Sequence, residues 1–253
     1  MMKIILTGCN GRMGKALAAL VSENEFAVIA AGIDIVKTPC NEFPIYSNIG
    51  EYTGQADVVI DFSHRSVLPD VLGYCIPKRL PVVIATTGHD ENQINEIKKA
   101  SKLIPIFKSA NMSLGINLLA KLVKSAAAAL KDNFDIEIIE KHHNKKLDAP
   151  SGTALMLADA AREGSRADKQ YVYDRHAVRR ERDRAEIGIH SVRGGTIIGE
   201  HEVVFAGFNE IIFLSHSAQS REVFASGALR AAEYISKVKT PGFYDMSSLL
   251  SDI

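Results

Sequence analysis

The chain has 253 residues, and its 30 basic and 30 acidic side chains cancel. That length allows two modest domains or one large one; hydrophobic residues at 46% and charged residues at 24% are ordinary for a globular protein, and the balanced charge leaves no net field for nucleic acid or a membrane surface. Three scattered cysteines, Cys9, Cys40 and Cys75, form no C-x-x-C and fit buried thiols in a reducing cytoplasm; no apolar run has the length of a signal peptide or a transmembrane helix.

Residues 3–7 form a short apolar strand that runs straight into Gly8-Cys9-Asn10-Gly11-Arg12-Met13-Gly14. Ala16, Leu17, Leu20 and Val21 then recur at helical spacing. Strand, glycine loop and helix in this order open a dinucleotide-binding βαβ unit. Gly8 makes the tight turn, Gly11 admits a pyrophosphate to the backbone, and Gly14 lets helix and strand pack closely. Asn10 stands where the commoner fingerprint has its second glycine. A second strand at 26–32 leads to Asp34, an acid placed to accept hydrogen bonds from an adenosine ribose and so to favour NADH; Lys37 keeps NADPH open. An ordinary turn aspartate is the other reading of Asp34.

Further strands are expected at 56–62, 81–86 and 104–108. The first ends in Asp61-Phe62-Ser63, with Ser63 as N-cap of a helix through Val67 and Val71. The second leads into Ala85-Thr86-Thr87-Gly88 and a capping-box pair, Asp90 and Gln93; the third into Ser109-Ala110-Asn111-Met112. This alternation predicts an α/β fold, a Rossmann-type doubly wound parallel sheet with ligand at the carboxyl ends of its strands. Gly8, Asp34, Asp61, Thr87 and Ala110 all fall at such ends.

After Met112 the pattern changes. A long helix through Leu114, Leu118, Leu122 and Val123 precedes an alternating strand at 134–139, and residues 140–154 read E-K-H-H-N-K-K-L-D-A-P-S-G-T-A. Ser151 would cap a helix carrying Leu155, Leu157, Ala158 and Ala161. Two imidazoles, several lysines and the helix start at Gly152 and Thr153 meet in one short stretch, which suits a small anionic substrate that needs a proton donor. A solvated loop is the bland alternative. Zinc is disfavoured, because His142 and His143 point apart on an extended chain and no Cys or third His stands at ligand spacing. The charged stretch 162–184 has Arg179, Arg180, Arg182 and Arg184 interleaved with Glu181 and Asp183; it reads as a solvated loop rather than a nucleic-acid patch. Strand-like runs at 186–192, 196–205 and 210–217, joined by Gly194-Gly195 and Gly207, predict antiparallel neighbours in a second, α+β domain with a mixed or antiparallel sheet. A last helix is expected over 222–235.

The run at 140–154 resembles the signature of the 4-hydroxy-tetrahydrodipicolinate reductase (dihydrodipicolinate reductase) family, E-x-H-H-x-x-K-x-D-x-P-S-G-T-A, with every fixed position filled. The G-x-x-G-R-M-G of residues 8–14, D-F-S at 61–63, A-T-T-G at 85–88 and G-F-Y-D-M at 242–246 are similar to further motifs of that family. Ala85 replaces a glycine of the family's G-T-T-G, and Ile35 stands where the family often has an arginine. The resemblance spans the chain. It implies NAD(P)H-dependent reduction of 4-hydroxy-tetrahydrodipicolinate (dihydrodipicolinate) to tetrahydrodipicolinate in diaminopimelate and lysine biosynthesis, by a cytoplasmic homotetramer without a metal. His142 is implied as general acid and Lys146 as the residue that binds a carboxylate and stabilises charge or relays the proton; which of the two finally gives the proton stays open at this point. His143, Gly152 and Thr153 are implied as substrate contacts, with Glu140 and Asp148 orienting the loop. The implied contacts to NADH or NADPH are Gly8, Asn10, Gly11, Arg12, Met13, Gly14, Asp34, Phe62, Ser63, Ala85, Thr86, Thr87, Ser109, Ala110, Asn111 and Met112. A discontinuous dinucleotide-binding domain, 1–112 with 221–253, and a substrate-binding and oligomerisation domain, 113–220, are implied, with hinges near Met112 and Ser220. The competing readings are a Rossmann reductase of another small acid and a non-catalytic NAD(P)-binding sensor.

Overall fold

Strand β1 (Met2–Thr7) is buried at Ile4, Ile5, Leu6 and Thr7 in succession, the pattern of a parallel strand covered on both faces. The structure, a computed structural model, describes residues 1–36, 42–165, 168–176 and 179–251. Lys37 and Cys40 lie outside the described residues. The chain forms two compact units, Met1–Leu114 with Glu222–Ile253, and Gly115–Arg221. After β1 come α1 (Arg12–Ser22), β2 (Ala27–Ile33), β3 (Ile45–Tyr46), β4 (Val58–Asp61), α2 (Leu68–Lys78), β5 (Val82–Ile84), α3 (Glu91–Ala100) and β6 (Pro105–Phe107). The pleat sends alternate residues to opposite cores. Ile4, Leu6, Val58 and Ile60 join α1 on one side, while Ile5, Val59, Val82 and Ile84 meet α2 and α3 on the other. The capping box of α3 is present, with Asp90 accepting from Gln93 N–H at 2.9 Å and Gln93 from Asp90 N–H at 3.2 Å.

The second unit contains α4 (Leu114–Leu130), β7 (Asp135–His142), α5 (Gly152–Ser165), β8 (Gln170–Val172), β9 (Glu186–Arg193), β10 (Glu200–Ala206) and β11 (Ile211–Ser217). Its sheet has the order β11-β10-β7-β9-β8. The antiparallel pairing expected between 186–192 and 196–205 is not formed: β7 lies between them, parallel to β9 and antiparallel to β10. The glycine turn is stitched to the end of β7 instead. Gly194 N–H donates to His142 O at 2.9 Å, and Asn144 N–H to Gly195 O at 3.2 Å. The expected β10–β11 pairing does form, closed by Gly207 N–H to Glu210 O at 2.9 Å.

Helix α4 buries Ile116, Leu119, Val123 and Ala127, whereas Leu118 and Leu122 are exposed. The expected face differs because this helix is apolar on both sides and periodicity alone cannot choose between them. Small residues on α5 decide it: a Cβ on Gly164 would overlap the Lys124 carbonyl oxygen. The charged stretch is more than a solvated loop. It contains β8, and Arg182 reaches Asp135 Oδ1 at 2.8 Å and Glu137 Oε1 at 2.9 Å, while Arg175 and Arg180 pair with Glu186.

The chain then returns to the first unit through α6 (Glu222–Ile235), β12 (Gly242–Tyr244) and α7 (Met246–Ser251). Strand β12 pairs with β6, giving an all-parallel sheet in the order β12-β6-β5-β4-β1-β2-β3. Among the described residues no helix is long and apolar enough to cross a membrane.

Candidate functional site

In the first unit, Gly8 follows β1 at φ +72°, and a Cβ there would stand 2.6 Å from Phe62 O. Only glycine lets this turn pass the end of β4. In the first turn of α1, a Cβ on Gly14 would overlap the Gly8 carbonyl oxygen, so helix and turn are in direct backbone contact. Gly11 is the extended N-cap of α1; no side chain caps that start, and the first turn, with Arg12 and Met13, holds no acid. Such a helix start accepts a pyrophosphate. Asn10 and Asp34 meet beside it: Asn10 N–H donates to Asp34 Oδ2 at 3.0 Å, and Val36 N–H to Oδ1 at 3.0 Å. Each carboxylate oxygen keeps a lone pair for a ribose hydroxyl.

A cavity of about 380 Å³ lies at the ends of β4, β5 and β6. Its lining is Met13, then Phe62 and Ser63, then Ala85, Thr86 and Thr87, then Ser109, Ala110, Asn111 and Met112, with Phe224 from α6. All but Phe224 are foreseen from sequence; Phe224 arrives from far along the chain and carries no local signal. Beneath them Asp61 is 1% exposed and accepts from Thr7 Oγ1 at 2.5 Å, Ser63 Oγ at 2.5 Å and Thr86 Oγ1 at 2.9 Å. Because Asp61 claims its hydroxyl, Ser63 is not the expected N-cap. The capping side chain is His64, which accepts from Ser66 N–H at 3.3 Å. Lys108, also unforeseen, donates to Thr86 O at 3.2 Å, and burial pulls its pKa down. The glycine turn, open helix start, Asp34 and cavity fit a nicotinamide dinucleotide.

In the second unit the site grows out of strand alternation. Ile136, Ile138, Glu140 and His142 share the buried face of β7; the first two enter the core and the last two carry its polar end. The Glu140 side chain is fully buried, yet every oxygen is satisfied. Oε2 faces His142 Nδ1 at 2.6 Å and Arg193 at 2.8 Å; Oε1 takes Arg193 at 2.7 Å and Ser151 N–H at 3.1 Å. Burial would raise the Glu140 pKa, but these donors outweigh it and hold the carboxyl at about 2. His142 lies below its ordinary value, chiefly through burial, with Lys146 and Arg193 adding to that and Glu140 opposing it.

Ser151 caps α5, its Oγ accepting from Ala154 N–H at 3.1 Å. The same Oγ lies 3.1 Å from His201 Nε2, and the His201 ring stands edge-on to His142 with centroids 5.2 Å apart. Burial, then His142, pushes the His201 pKa down to about 4. Gly152 and Thr153 form the first turn of α5, and a Cβ on Gly152 would meet nothing within 4 Å, so the space above it is open. Lys146 pairs with Asp148 Oδ1 at 2.8 Å and its N–H bonds the half-buried His143 through O at 3.1 Å. The structure thus gathers His142 and Lys146 with the start of α5, and adds Arg193 and His201. Their signal is register, legible only once neighbours are known: Arg193 stands opposite His142, and His201 opposite Glu140. Among the described residues no group of three or more His, Cys, Asp or Glu could hold a metal ion.

The family models and the sequence relatives agree on one family. Residues 2–112 match the family model described as dihydrodipicolinate reductase, N-terminus, and residues 115–250 match dihydrodipicolinate reductase, C-terminus. The 4-hydroxy-tetrahydrodipicolinate reductase of Caldanaerobacter subterraneus subsp. tengcongensis is 53% identical, over 99% of this chain and 98% of the relative. That of Clostridium novyi is 48% identical over the same shares. A dipicolinate-bound dihydrodipicolinate reductase from Paenisporosarcina sp. TG-14 superposes with a TM-score of 0.82 at 26% identity, covering 96% of this chain and 98% of that one.

Proposed function

This chain belongs to the dihydrodipicolinate reductase family, and from that premise we propose that it reduces 4-hydroxy-tetrahydrodipicolinate to tetrahydrodipicolinate, with the 4-hydroxyl lost as water, in diaminopimelate and lysine biosynthesis. The observation that carries the residue assignments is the meeting of a buried Glu140–His142 pair, Lys146 and an open, Ser151-capped helix start on one unit.

When bound, NADH or NADPH supplies the hydride. Residues 1–112 and 221–253 hold it. Gly8, Gly11, Arg12, Met13 and Gly14 cradle the pyrophosphate, and Asn10 steadies Asp34 against the adenosine ribose. Phe62, Ser63, Ala85, Thr86, Thr87, Ser109, Ala110, Asn111 and Met112 line the nicotinamide end.

Residues 113–220 bind the dicarboxylate substrate. One carboxylate sits at the start of α5, on Gly152 and Thr153, where the helix dipole favours an anion. Lys146 leaves Asp148 to bind a substrate carboxylate, and His143 holds the substrate. His142 keeps Nδ1 toward Glu140, which leaves Nε2 as the atom that gives the proton; Lys146 supports or relays it. An arriving dianion raises the lowered pKa of His142 and so loads it for donation. The open face of the five-stranded sheet, with Ile211 and Phe213 exposed, supports self-association, and the form proposed from the family is a cytoplasmic homotetramer.

The test follows the absorbance of reduced nicotinamide with purified protein, enzyme-generated substrate, and NADH or NADPH in parallel. Rapid oxidation is expected. Binding of both cofactors without oxidation of either would overturn the assignment.

A further inference from the structure

We propose that Arg193 is the positioning residue of the proton-donor loop, its guanidinium clamping Glu140 so that both the orientation of His142 and the charge it meets are fixed. The proposal rests on the reading of His142 as proton donor.

Four hydrogen bonds leave this one side chain, one of them to the neighbouring Val192 O at 2.7 Å. Its two terminal nitrogens grip both Glu140 oxygens, at 2.8 and 2.7 Å. One of them also donates to Asp148 O at 2.6 Å, in the loop whose Asp148 carboxylate holds Lys146. Through Glu140 Oε1 the clamp extends to Ser151 N–H, the residue that caps α5. Strand, loop and helix start are therefore tied at a single planar fork, a geometry that lysine cannot copy.

The charge argument is as specific as the geometry. The groups facing His142 are Glu140 on β7, Arg193 on β9, Lys146 and its partner Asp148 on the loop, and His201 on β10 with His216 opposite it on β11. Glu140 is the buried anion among them, and Arg193 and His142 share it. Without Arg193, protonated His142 would be the charged donor left to Glu140, beside the neutral donors Ser151 N–H and Ser191, and the imidazole would cling to its proton. With Arg193 in place, Glu140 stays ionised and aligns Nδ1 while Nε2 keeps an acidity useful for transfer.

The experiment follows the His142 imidazole by NMR across pH in the full-length protein, assigned by its loss in His142→Gln, alongside pH profiles of kcat and KM. The expected order of His142 midpoints places Arg193→Met above wild type, the double variant Glu140→Gln with Arg193→Met below wild type, and Glu140→Gln lowest. The alkaline limb of kcat should follow the same order. Arg193→Lys keeps the charge but loses the fork; its midpoint should stay near wild type while kcat falls on the order of 10-fold through the looser loop. A midpoint for Arg193→Met at or below wild type overturns the proposal, as does wild-type kcat in Arg193→Lys. If Arg193→Met does not fold, the double variant must titrate above Glu140→Gln; equal midpoints overturn the proposal. The titration is read on resting protein, so it tests Arg193 independently of turnover. Full activity in His142→Gln would instead remove the proton-donor reading alone.

Discussion

Glu140 and His142 stand two residues apart on the buried face of β7, and the carboxylate Oε2 lies 2.6 Å from imidazole Nδ1. A bond that short to a fully buried carboxylate fixes which ring nitrogen turns inward. The outward nitrogen, Nε2, is then the working atom, and burial keeps the ring from being permanently charged.

On this arrangement His142→Gln and Lys146→Ala should each lower kcat by about 100-fold or more, the usual scale of lost acid–base help. Lys146→Ala should also raise KM, because it removes a cation from the carboxylate. Steady-state kinetics with NADH saturating checks both, and near-wild-type turnover in the two variants would dismiss this site.

Asp34→Ala should weaken NADH by on the order of 10-fold and change NADPH little, since the lost bonds are those of a charged acceptor to ribose hydroxyls. Ile35 is 89% exposed and adds no charge for a 2′-phosphate. Fluorescence titration of the two cofactors on the same preparation gives the ratio directly. An unchanged ratio would return Asp34 to the role of a turn residue.

Gly14→Ala should cost about 2 kcal/mol or more of stability and weaken NADH, because the new methyl would overlap the Gly8 carbonyl oxygen and drive α1 from its turn. Chemical denaturation and cofactor titration measure the two effects separately. A variant with wild-type stability would mean that the turn can yield.

What the chain order discloses is what is local. Strand, glycine turn and helix are contiguous at residues 3–21, and the proton-donor loop is contiguous at 140–154, so both can be read directly. The partners of that loop cannot. Arg193 and His201 reach it through strand register, and register depends on β7 lying between β9 and β10, which the glycine turn at 194–195 disguises as a hairpin. The buried face of α4 was hidden for another reason: Leu118 and Leu122 repeat as regularly as Leu119 and Val123, and only the small residues of α5 tell them apart.

His201 makes the last prediction, a pH dependence of stability. Its ring is 4% exposed, and its pKa falls from the ordinary 6.5 to about 4, first through burial and then through His142. A histidine lowered on folding binds its proton more readily in the unfolded chain, so its contribution is complete above pH 6.5 and is lost as pH falls through about 4. At 1.36 kcal/mol per unit the loss is at most about 3 kcal/mol. Glu140, lowered from 4.5 to about 2 against its burial by Arg193 and His142, contributes above pH 4.5 and loses that contribution lower still, toward pH 2. Denaturant midpoints should therefore decline in two stages as the solution is acidified. His201→Gln, which can keep a bond to Ser151, should make the first stage shallower, since His142, His89 and His216 are also lowered by burial and keep their share, and should leave the second. An unaltered decline between pH 6.5 and 4 would place the acid sensitivity elsewhere in the chain.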